Sequence, residues 1–286
     1  MKKETKMRIG VNIWTIYGFE PGSLDIEILS LIHEMGYKGI ELVLDEGNYT
    51  ARKLSSNKDE LWDILDSWGI KIPSVASGLF WKYNLGSPDL KMRENGLKVV
   101  KEGCKTANEF GAEVLLVVAG IQEQGRAYDK LYQTSLASMK KGAEYAKEYG
   151  ITLAVENVWS KFLYSPLEFR RFIDDVGSEH VKAYLDVGNL LVMGYPENWI
   201  NSLKGEIASV HVKDFDIDDG SIRGFRVCGR GDVDWDLVIK TLKEVGYDGY
   251  LTVETPPSFL GIDVPSYPND GLEAAKASID GIKKYL

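Results

Sequence analysis

Four residues of types that bind metals or transfer protons stand at the ends of apolar runs in this chain. Glu156 ends ITLAVE, Asp186 ends VKAYLD, His211 follows IASV, and Glu254 ends YLTVE. A carboxylate at the end of a buried strand needs a partner, because burial without compensation penalises its charge. Several such carboxylates brought together would repel one another unless a cation joins them. Their chemistry therefore depends on how the fold arranges the four runs.

The apolar runs follow amphipathic segments that end in glycine, and this unit recurs along the chain. Glycine is common just past a helix because it adopts the left-handed conformation without a Cβ clash. The following runs are rich in β-branched residues and nearly continuous, as in parallel strands that are buried on both faces. The glycines that end these segments are Gly36, Gly69, Gly111, Gly150 and Gly246.

The pattern predicts an α/β fold, a single (β/α)8 TIM barrel formed by residues 1–286 as one domain. About eight strands alternate with helices at a repeat of roughly 36 residues, which suits this barrel. Tandem α/β units also fit a doubly wound open sheet. The similar junctions GYKG at Gly36 and GYDG at Gly246 favour a closed repeat. The predicted strands are Arg8–Ile13, Gly39–Val43, Lys71–Ala76, Glu113–Val118, Ile151–Glu156, Val181–Asp186, Ile207–Val212 and Gly249–Glu254.

In such a barrel the active site lies at the C-terminal ends of the strands. Glu156, Asp186, His211 and Glu254 fall at the ends of strands 5, 6, 7 and 8, so we expect them to meet at one rim. Each residue taken alone is more commonly structural, but four metal-binding types at equivalent positions favour one divalent ion. Three carboxylates and one imidazole suit Mn²⁺, Mg²⁺ or Co²⁺, with Zn²⁺ also possible.

Composition limits the classes of function. The chain has 286 residues and a net charge of −9, which argues against binding to nucleic acid or to an anionic membrane. Cys104 and Cys228 lie in no metal-binding spacing, and we expect reduced thiols. No signal peptide and no long apolar run is evident. We therefore expect a cytoplasmic protein that acts on a small molecule, with a homo-oligomer possible.

Four motifs resemble a known family over nearly the whole chain. AVENVWSKFLYSPLEF, YLDVGNLLVMGYPENWI, SVHVKDF and GRGDVDW are similar to the sugar phosphate isomerase/epimerase group of the xylose isomerase-like TIM barrels. The nearest members are ketose-phosphate 3-epimerases of the L-xylulose 5-phosphate and L-ribulose 5-phosphate types, often labelled hexulose-6-phosphate isomerases. The D-tagatose and D-psicose 3-epimerases, which act on free ketoses, form a cousin branch.

The resemblance implies a metal-dependent isomerase that inverts C3 of a ketose or ketose phosphate through a metal-bound cis-enediolate. It implies that Glu156 and Glu254 are both metal ligands and acid/base residues, whereas Asp186 and His211 are ligands only. One glutamate would remove the C3 proton from one face, and the other would return a proton to the opposite face. Mn²⁺ is the expected ion.

The sequence departs from the tagatose-type pattern at three positions that contact the free ketose in those enzymes. Asn189 stands where they have a histidine, Phe162 where they have a glutamate, and Ile217 where they have an arginine. The DVGN and HVKD motifs fit the sugar-phosphate branch better, and both a free ketose and a ketose phosphate stay open as substrates.

Candidate substrate-binding residues lie near the predicted strand ends. Lys213 and the loop arginines, above all Arg230, are candidates for phosphate binding. Asn157 and Asn189 are candidates for binding hydroxyl groups or orienting ligands. Trp159 could stack on a sugar, although core packing is the better interpretation for any single aromatic residue. The other loop arginines are Arg223 and Arg226, and the other aromatic candidates are Trp14, Phe80 and Trp81.

Three alternatives remain at this stage. Aldose–ketose isomerases and inosose dehydratases share the same metal site and are not excluded. An apurinic endonuclease would need a cluster of zinc-binding histidines and a basic groove, and this chain has three histidines and a net negative charge. A non-catalytic sugar-binding protein would not need both Glu156 and Glu254. His33 lies in the first predicted helix and His180 just before strand 6, and we expect both to be structural or exposed.

Overall fold

The computed structural model describes residues 6–18, 26–56, 58–255 and 270–286. Eight parallel strands form a closed barrel, here numbered β1 to β8 in chain order. The strands are β1 Arg8–Asn12, β2 Gly39–Val43, β3 Ser74–Ala76, β4 Val114–Val117, β5 Thr152–Glu156, β6 Val181–Asp186, β7 Ile207–Val212 and β8 Tyr250–Val253. Each strand pairs with its neighbours in sequence, and β8 pairs with β1. The prediction of a (β/α)8 barrel is confirmed.

Helices connect the strands and surround the barrel. The helices are Ile13–Tyr17, Ile26–Met35, Ala51–Ser56, Lys58–Ser67, Leu79–Lys82, Leu90–Glu109, Tyr128–Tyr149, Pro166–Val176, Val187–Leu190, Pro196–Ser202, Trp235–Val245 and Gly271–Ile282. Short 3₁₀ turns occur at Gly47–Tyr49, Ile222–Gly224 and Lys283–Tyr285. The predicted glycine caps are present. Gly150 has φ 69° and Gly246 has φ 84°, a region that an L side chain rarely adopts.

The barrel closes through contacts between the two ends of the chain. Val11 in β1 pairs with Val253 in β8. The Thr15 hydroxyl donates a hydrogen bond to the Val253 carbonyl at 3.1 Å, across 238 positions of sequence. The Tyr37 hydroxyl donates to the carbonyl of Ala275, in the last helix, at 2.7 Å. This closing seam therefore joins the first two βα units to the last one.

Five predicted strands have bounds that differ from those in the structure, and the differences in β1 and β3 have local reasons. Ile13 is not the end of β1 but the first residue of a helix, because the Asn12 side chain accepts a hydrogen bond from the Trp14 amide at 2.7 Å and caps it. β3 begins at Ser74 rather than Lys71, since Pro73 has no N–H to donate to a ladder. Lys71 makes only an isolated bridge to Gly39.

The connection after β7 contains structure that the sequence did not predict. Asp214–Phe215 pairs antiparallel with Phe225–Arg226 and forms a two-stranded hairpin. The hairpin projects from the end of the barrel where the predicted site residues lie. It therefore supplies part of the wall of that end.

The two cysteines of the chain are reduced, as the sequence predicts. Cys104 and Cys228 are both buried, and neither forms a disulfide. Within residues 6–18, 26–56, 58–255 and 270–286, no helix combines the length and the apolar character needed to cross a membrane.

Candidate metal centre and active site

The four predicted residues converge at the C-terminal end of the barrel. One ligand atom from each of Glu156, Asp186, His211 and Glu254 lies within 4.8 Å of those of the other three. The Nδ1 atom of His211 is 3.8 Å from Glu156 Oε1, 3.8 Å from Asp186 Oδ2 and 3.7 Å from Glu254 Oε2. The imidazole nitrogen therefore faces three carboxylates.

Strand register explains this convergence. Asp186, the last residue of β6, pairs directly with His211 of β7. His211 also pairs with Thr252 of β8, two positions before Glu254. Glu156 is the last residue of β5, beside β6. Four adjacent strands thus end at one level of the barrel, and each contributes one side chain.

The donor set fits a divalent cation. The Nδ1 atom of His211 is buried without a hydrogen-bond partner, an arrangement that is rare unless the atom binds a ligand. Burial raises the pKa of Glu156 to about 7, and the charges of Glu254 and Asp186 add to this increase. Three carboxylate oxygens and one neutral imidazole nitrogen are suitable ligands for Mn²⁺, Mg²⁺, Co²⁺ or Zn²⁺.

A buried carboxylate that the sequence analysis missed holds His211 from its other side. Glu41 in β2 is fully buried, and its Oε1 lies 2.6 Å from His211 Nε2. Asn12 donates to the same oxygen at 2.6 Å, and Ser74 and Tyr184 donate to Oε2 at 2.6 Å each. A carboxylate in this position fixes the Nε2–H tautomer and directs the lone pair of Nδ1 toward the other ligands.

The electrostatics of this network agree with its geometry. Burial alone would raise the pKa of Glu41, but His211 and the hydroxyl donors Ser74 and Tyr184 hold it below its ordinary value. Glu41 is therefore an ionised carboxylate whose negative charge is stabilised inside the barrel by His211 and by hydrogen-bond donors. The run GIELV carried a signal for it, because Glu41 stands within a strand that is otherwise apolar.

The four converging residues differ in their access to solvent. The side chains of Asp186 and His211 are fully buried, whereas those of Glu156 and Glu254 are 9% and 14% exposed. Glu156 and Glu254 line a cavity of about 610 Å³ above the cluster, and Asp186 and His211 do not. A cavity of this size accommodates a small-molecule ligand. Only the two glutamates can therefore touch both an ion and a bound molecule.

Lys213, two residues after His211, lies inside the cluster. Its ammonium group contacts Asp186 Oδ2 and lies 2.6 Å from Glu254 Oε2. Burial lowers its pKa, but the charges of Asp186 and Glu254 outweigh this effect and hold the pKa above its usual range. Gly188 makes room for this side chain, since a Cβ there would lie 2.6 Å from Lys213 Cγ.

The other predicted substrate-binding residues fall in different places. Asn189 and Trp159 line the cavity, and the Trp159 indole donates to the Asn189 carbonyl at 3.0 Å. Asn157 is buried, with its amide bonded to the backbone N–H and carbonyl of Asp186 at 2.8 Å each, and it does not line the cavity. Arg230 is exposed and also lies outside the cavity lining.

Aromatic side chains form much of the cavity wall. Trp159 stacks on Phe225 of the hairpin with ring centroids 5.0 Å apart. Trp14 and Trp81 line the same cavity, whereas Phe80 is fully buried in the core. The hairpin is thus packed against the loop that follows β5, and it completes the wall.

The three positions that departed from the tagatose-type pattern also differ in place. Phe162 is buried among aromatic rings, with Phe172 at 5.8 Å, and Ile217 is exposed on the hairpin loop. Asn189 is the one of the three that faces the cavity. As expected, His33 and His180 lie away from the cluster. His33 stacks on Trp68, and His180 Nδ1 lies 3.1 Å from the Ile151 carbonyl.

Comparison with known proteins identifies relatives and structural neighbours. The chain is 24% identical over 243 residues to L-ribulose-5-phosphate 3-epimerase UlaE of Shigella flexneri, covering 82% of each protein. Its fold is similar to that of a D-tagatose 3-epimerase-like protein, with a TM-score of 0.78, 21% identity and 98% of each chain covered. It is also similar to the IolI protein, solved with a zinc atom bound, with a TM-score of 0.79, 21% identity and 98% and 99% coverage.

A protein-family model also matches most of the chain. The model of the xylose isomerase-like TIM barrel matches residues 29–285, which include β2 to β8 and all four converging residues. The closed barrel and the position of the cluster at its C-terminal end agree with that match. The chain belongs to the xylose isomerase-like TIM barrel family.

Proposed function

We propose that this protein is a divalent-metal-dependent sugar epimerase, an isomerase that inverts C3 of a ketose. The observation that carries the proposal is the placement of Glu156 and Glu254, which belong to the metal-type cluster and also line the cavity. The similarity to an L-ribulose-5-phosphate 3-epimerase and to the structure of a D-tagatose 3-epimerase-like protein supports the same reaction. A chain of net charge −9 suits a small-molecule substrate better than nucleic acid.

The cluster would bind one metal ion through Glu156, Asp186, His211 and Glu254. Such an ion would supply Lewis-acid polarisation of the ketose carbonyl, which makes the neighbouring C–H more acidic. Mn²⁺ is the expected ion, because three carboxylates and one imidazole give a mostly oxygen donor set. Asp186 and His211 are fully buried and act only as ligands in this proposal.

The two glutamates would perform the proton transfers. One carboxylate removes the proton from C3, and the electron pair of the C–H bond moves toward the C2 carbonyl to give a cis-enediolate. The other glutamate, which enters the step as the neutral carboxylic acid, donates its proton to the opposite face of C3, which inverts that centre, restores the carbonyl and leaves the two glutamates with exchanged protonation states. Glu156 and Glu254 both line the cavity, so each can reach a bound sugar.

Lys213 and Asn189 would assist these steps from the cavity wall. The Lys213 ammonium, 2.6 Å from Glu254 Oε2, holds that carboxylate in place and can also donate to a substrate oxygen. Asn189 is held by the bond from its side-chain amide to the Asn157 carbonyl at 3.1 Å. Its position at the cavity suits a hydrogen bond to a sugar hydroxyl. Replacing Asn189 with alanine tests this role, since substrate affinity should fall while metal content is unchanged.

The reaction is tested by hydrogen exchange. The protein loaded with Mn²⁺ is incubated in D₂O with a panel of ketoses and ketose phosphates, and the products are followed by proton NMR. The expected result is deuterium at C3 together with the C3 epimer. Exchange at C1 with an aldose product would replace the epimerase proposal with an aldose–ketose isomerase. An absence of exchange with every sugar, despite bound metal, would contradict both.

A further inference from the structure

The cavity wall offers little charge to a phosphate group. Trp14, Trp81, Trp159, Ile222 and Phe225 supply aromatic and aliphatic surface around the two glutamates. Such a wall buries the C–H surfaces of a sugar ring and leaves a few polar groups to fix its orientation. It contrasts with the phosphate-binding residues that the sequence led us to expect.

The cations near the cavity are paired with carboxylates. Among the described residues that line the cavity, Lys213 is the one cationic side chain, and it is bonded to Asp186 and Glu254. Arg226 of the hairpin donates to Asp216 Oδ2 at 2.8 Å and is bonded to backbone carbonyls through its other nitrogen.

Beside Trp81, the Lys82 ammonium is 2.5 Å from Glu46 Oε1. Arg223 and Arg230 are exposed and lie outside the cavity lining. Arg126, in the connection after β4, and Lys161, in the connection after β5, likewise lie outside the cavity lining. Residues 19–25 and 256–269, which the structure does not describe, contain no lysine, arginine or histidine.

In the connection after β7, backbone amides that could bind an anion instead donate hydrogen bonds to a buried carboxylate of the same connection. TIM barrels commonly bind phosphate with loops of this region. Here Asp214 is fully buried and accepts hydrogen bonds from the amides of Phe215 at 3.0 Å, Gly229 at 2.8 Å and Val233 at 3.0 Å. The indole of Trp235 donates to it at 2.9 Å. The loop therefore binds its own side chain where a phosphate would need donors.

The remaining charge at the cavity is negative. Asp45 lines it together with Glu156 and Glu254, and Asp186 lies directly beneath. With one glutamate protonated, as the proposed proton transfers require, a divalent ion and the Lys213 ammonium only balance the remaining carboxylates. The cavity therefore offers no net positive charge to compensate a phosphate dianion for its loss of solvation.

Resting on the epimerase proposed above, we infer that the substrate is an uncharged, unphosphorylated ketose. Its ring or chain would pack against the aromatic wall, and its hydroxyl groups would meet Glu156, Glu254, Asn189 and Lys213. This reverses the preference for a sugar phosphate that the DVGN and HVKD motifs suggested.

Binding tests the inference independently of turnover. The Glu254→Gln variant loaded with Mn²⁺ is titrated with matched pairs, each a free ketose and its own phosphate ester, such as D-fructose with D-fructose 6-phosphate and L-ribulose with L-ribulose 5-phosphate. Quenching of tryptophan fluorescence reports binding, since three tryptophans line the cavity. A Trp159→Phe variant should lose part of the signal, and a Trp62→Phe variant, altered at a helix beside Gly111, should not.

We expect at least one free ketose to bind at least tenfold more tightly than its ester. Equal affinity, tighter binding of the ester, or no binding of any free ketose would overturn the inference. Tight binding of a free ketose without C3 exchange in the wild type would end the epimerase proposal and leave the preference for an uncharged sugar standing.

A charge-adding variant provides a second measurement. Ile222→Lys places an ammonium on the cavity wall and should increase ester affinity about tenfold relative to the free ketose, whereas Ile217→Lys, on the same loop but outside the lining, should not. If neither variant or both variants change the ratio, missing charge at the cavity is not what excludes the ester.

Discussion

At the scale of single residues, the four converging side chains divide into two that can reach a substrate and two that cannot. This division follows from exposure, since Glu156 and Glu254 line the cavity and Asp186 and His211 lie beneath it. The three carboxylates therefore have different roles, because Glu156 and Glu254 can contact a substrate and Asp186 can only bind the ion. Substitutions should separate the roles through two measurements, metal content and turnover.

Replacing Glu254 with glutamine should reduce turnover by about 10³-fold, because a positioned acid or base contributes about that much. The amide retains an oxygen that can bind a metal, so metal content should change little. Turnover is measured by C3 epimer formation, and metal content by elemental analysis. A variant that retains activity within tenfold of the wild type would show that the two-glutamate mechanism is wrong.

Replacing Glu41 with glutamine should weaken metal binding by 10- to 100-fold, the typical effect of losing a partner that orients a histidine ligand. The carboxylate of Glu41 lies 2.6 Å from His211 Nε2 and never faces the cavity. The dissociation constant for Mn²⁺, measured by calorimetry, provides the readout. Ser74→Ala, which removes one donor to the same carboxylate, should have the smaller effect.

The raised pKa of Glu156 predicts a pH-dependent stability of the metal-free protein. Its pKa rises from 4.5 unfolded to about 7 folded, so its stabilising contribution is fully present below about pH 4.5 and is lost as pH rises through 7. Relative to Glu156→Gln, the wild type should lose on the order of 3 kcal/mol of unfolding free energy across this window. Urea unfolding at pH 5 and pH 8 measures it. A constant difference would show that Glu156 titrates normally.

At the scale of elements, the hairpin after β7 depends on one carboxylate. Asp214 accepts four hydrogen bonds, one from Phe215 beside it in the hairpin and three from Gly229, Val233 and Trp235 after the hairpin. A Cβ at Gly231 would lie 2.5 Å from its Oδ1. The hairpin in turn carries Phe225, which packs on Trp159 at the cavity. The shape of the cavity wall is therefore coupled to a residue outside it.

Asp214→Ala should destabilise the hairpin, because buried amides lose their acceptor at about 1 to 3 kcal/mol each. We expect faster cleavage by a protease within residues 216–232 and a weaker affinity for the sugar. Asp216→Ala removes the partly exposed pair with Arg226 and an exposed acceptor for the Asp218 amide. It is the matched control and should resemble the wild type. Equal cleavage of the two variants would contradict this role for Asp214.

Much of the element order could be predicted from sequence, and the reasons for the exceptions are local. Glycine caps and β-branched runs located all eight strands, because both patterns report backbone conformation directly. The end of β1 was missed because the Asn12 cap is a side-chain hydrogen bond, and the start of β3 because Pro73 breaks the ladder.

The convergence of the four site residues could be predicted from their positions at strand ends. The residues that contact and orient them could not. Glu41 is 115 positions before Glu156 in the chain, and its link to His211 exists only in the closed barrel. The pairing of Lys213 with Asp186 and Glu254 is likewise a property of three dimensions. A local sequence pattern therefore identified the candidate site residues, but it could not identify the residues that lie beside them in the folded barrel.

At the scale of the whole molecule, the proposed metal site ties four adjacent strands of the barrel together. A ligand that binds only the folded state stabilises it by about 4 kcal/mol at a thousandfold excess over its dissociation constant. For a chain of this size, that corresponds to an increase in Tm of roughly 10 °C. Thermal unfolding with and without Mn²⁺ measures the increase. Asp186→Ala, which removes the ligand oxygens altogether, should abolish most of it, and an unchanged increase would place the ion elsewhere.

The closing seam has a consequence for the order in which this protein matures. Because β8 lies between β7 and β1, a chain still emerging from the ribosome holds two open sheet edges until its final βα unit is released. Open edges pair with other chains and promote aggregation. A chain whose synthesis halts before Tyr250 would therefore expose the unpaired edges of β1 and β7. Its dependence on chaperones should be greatest at that length.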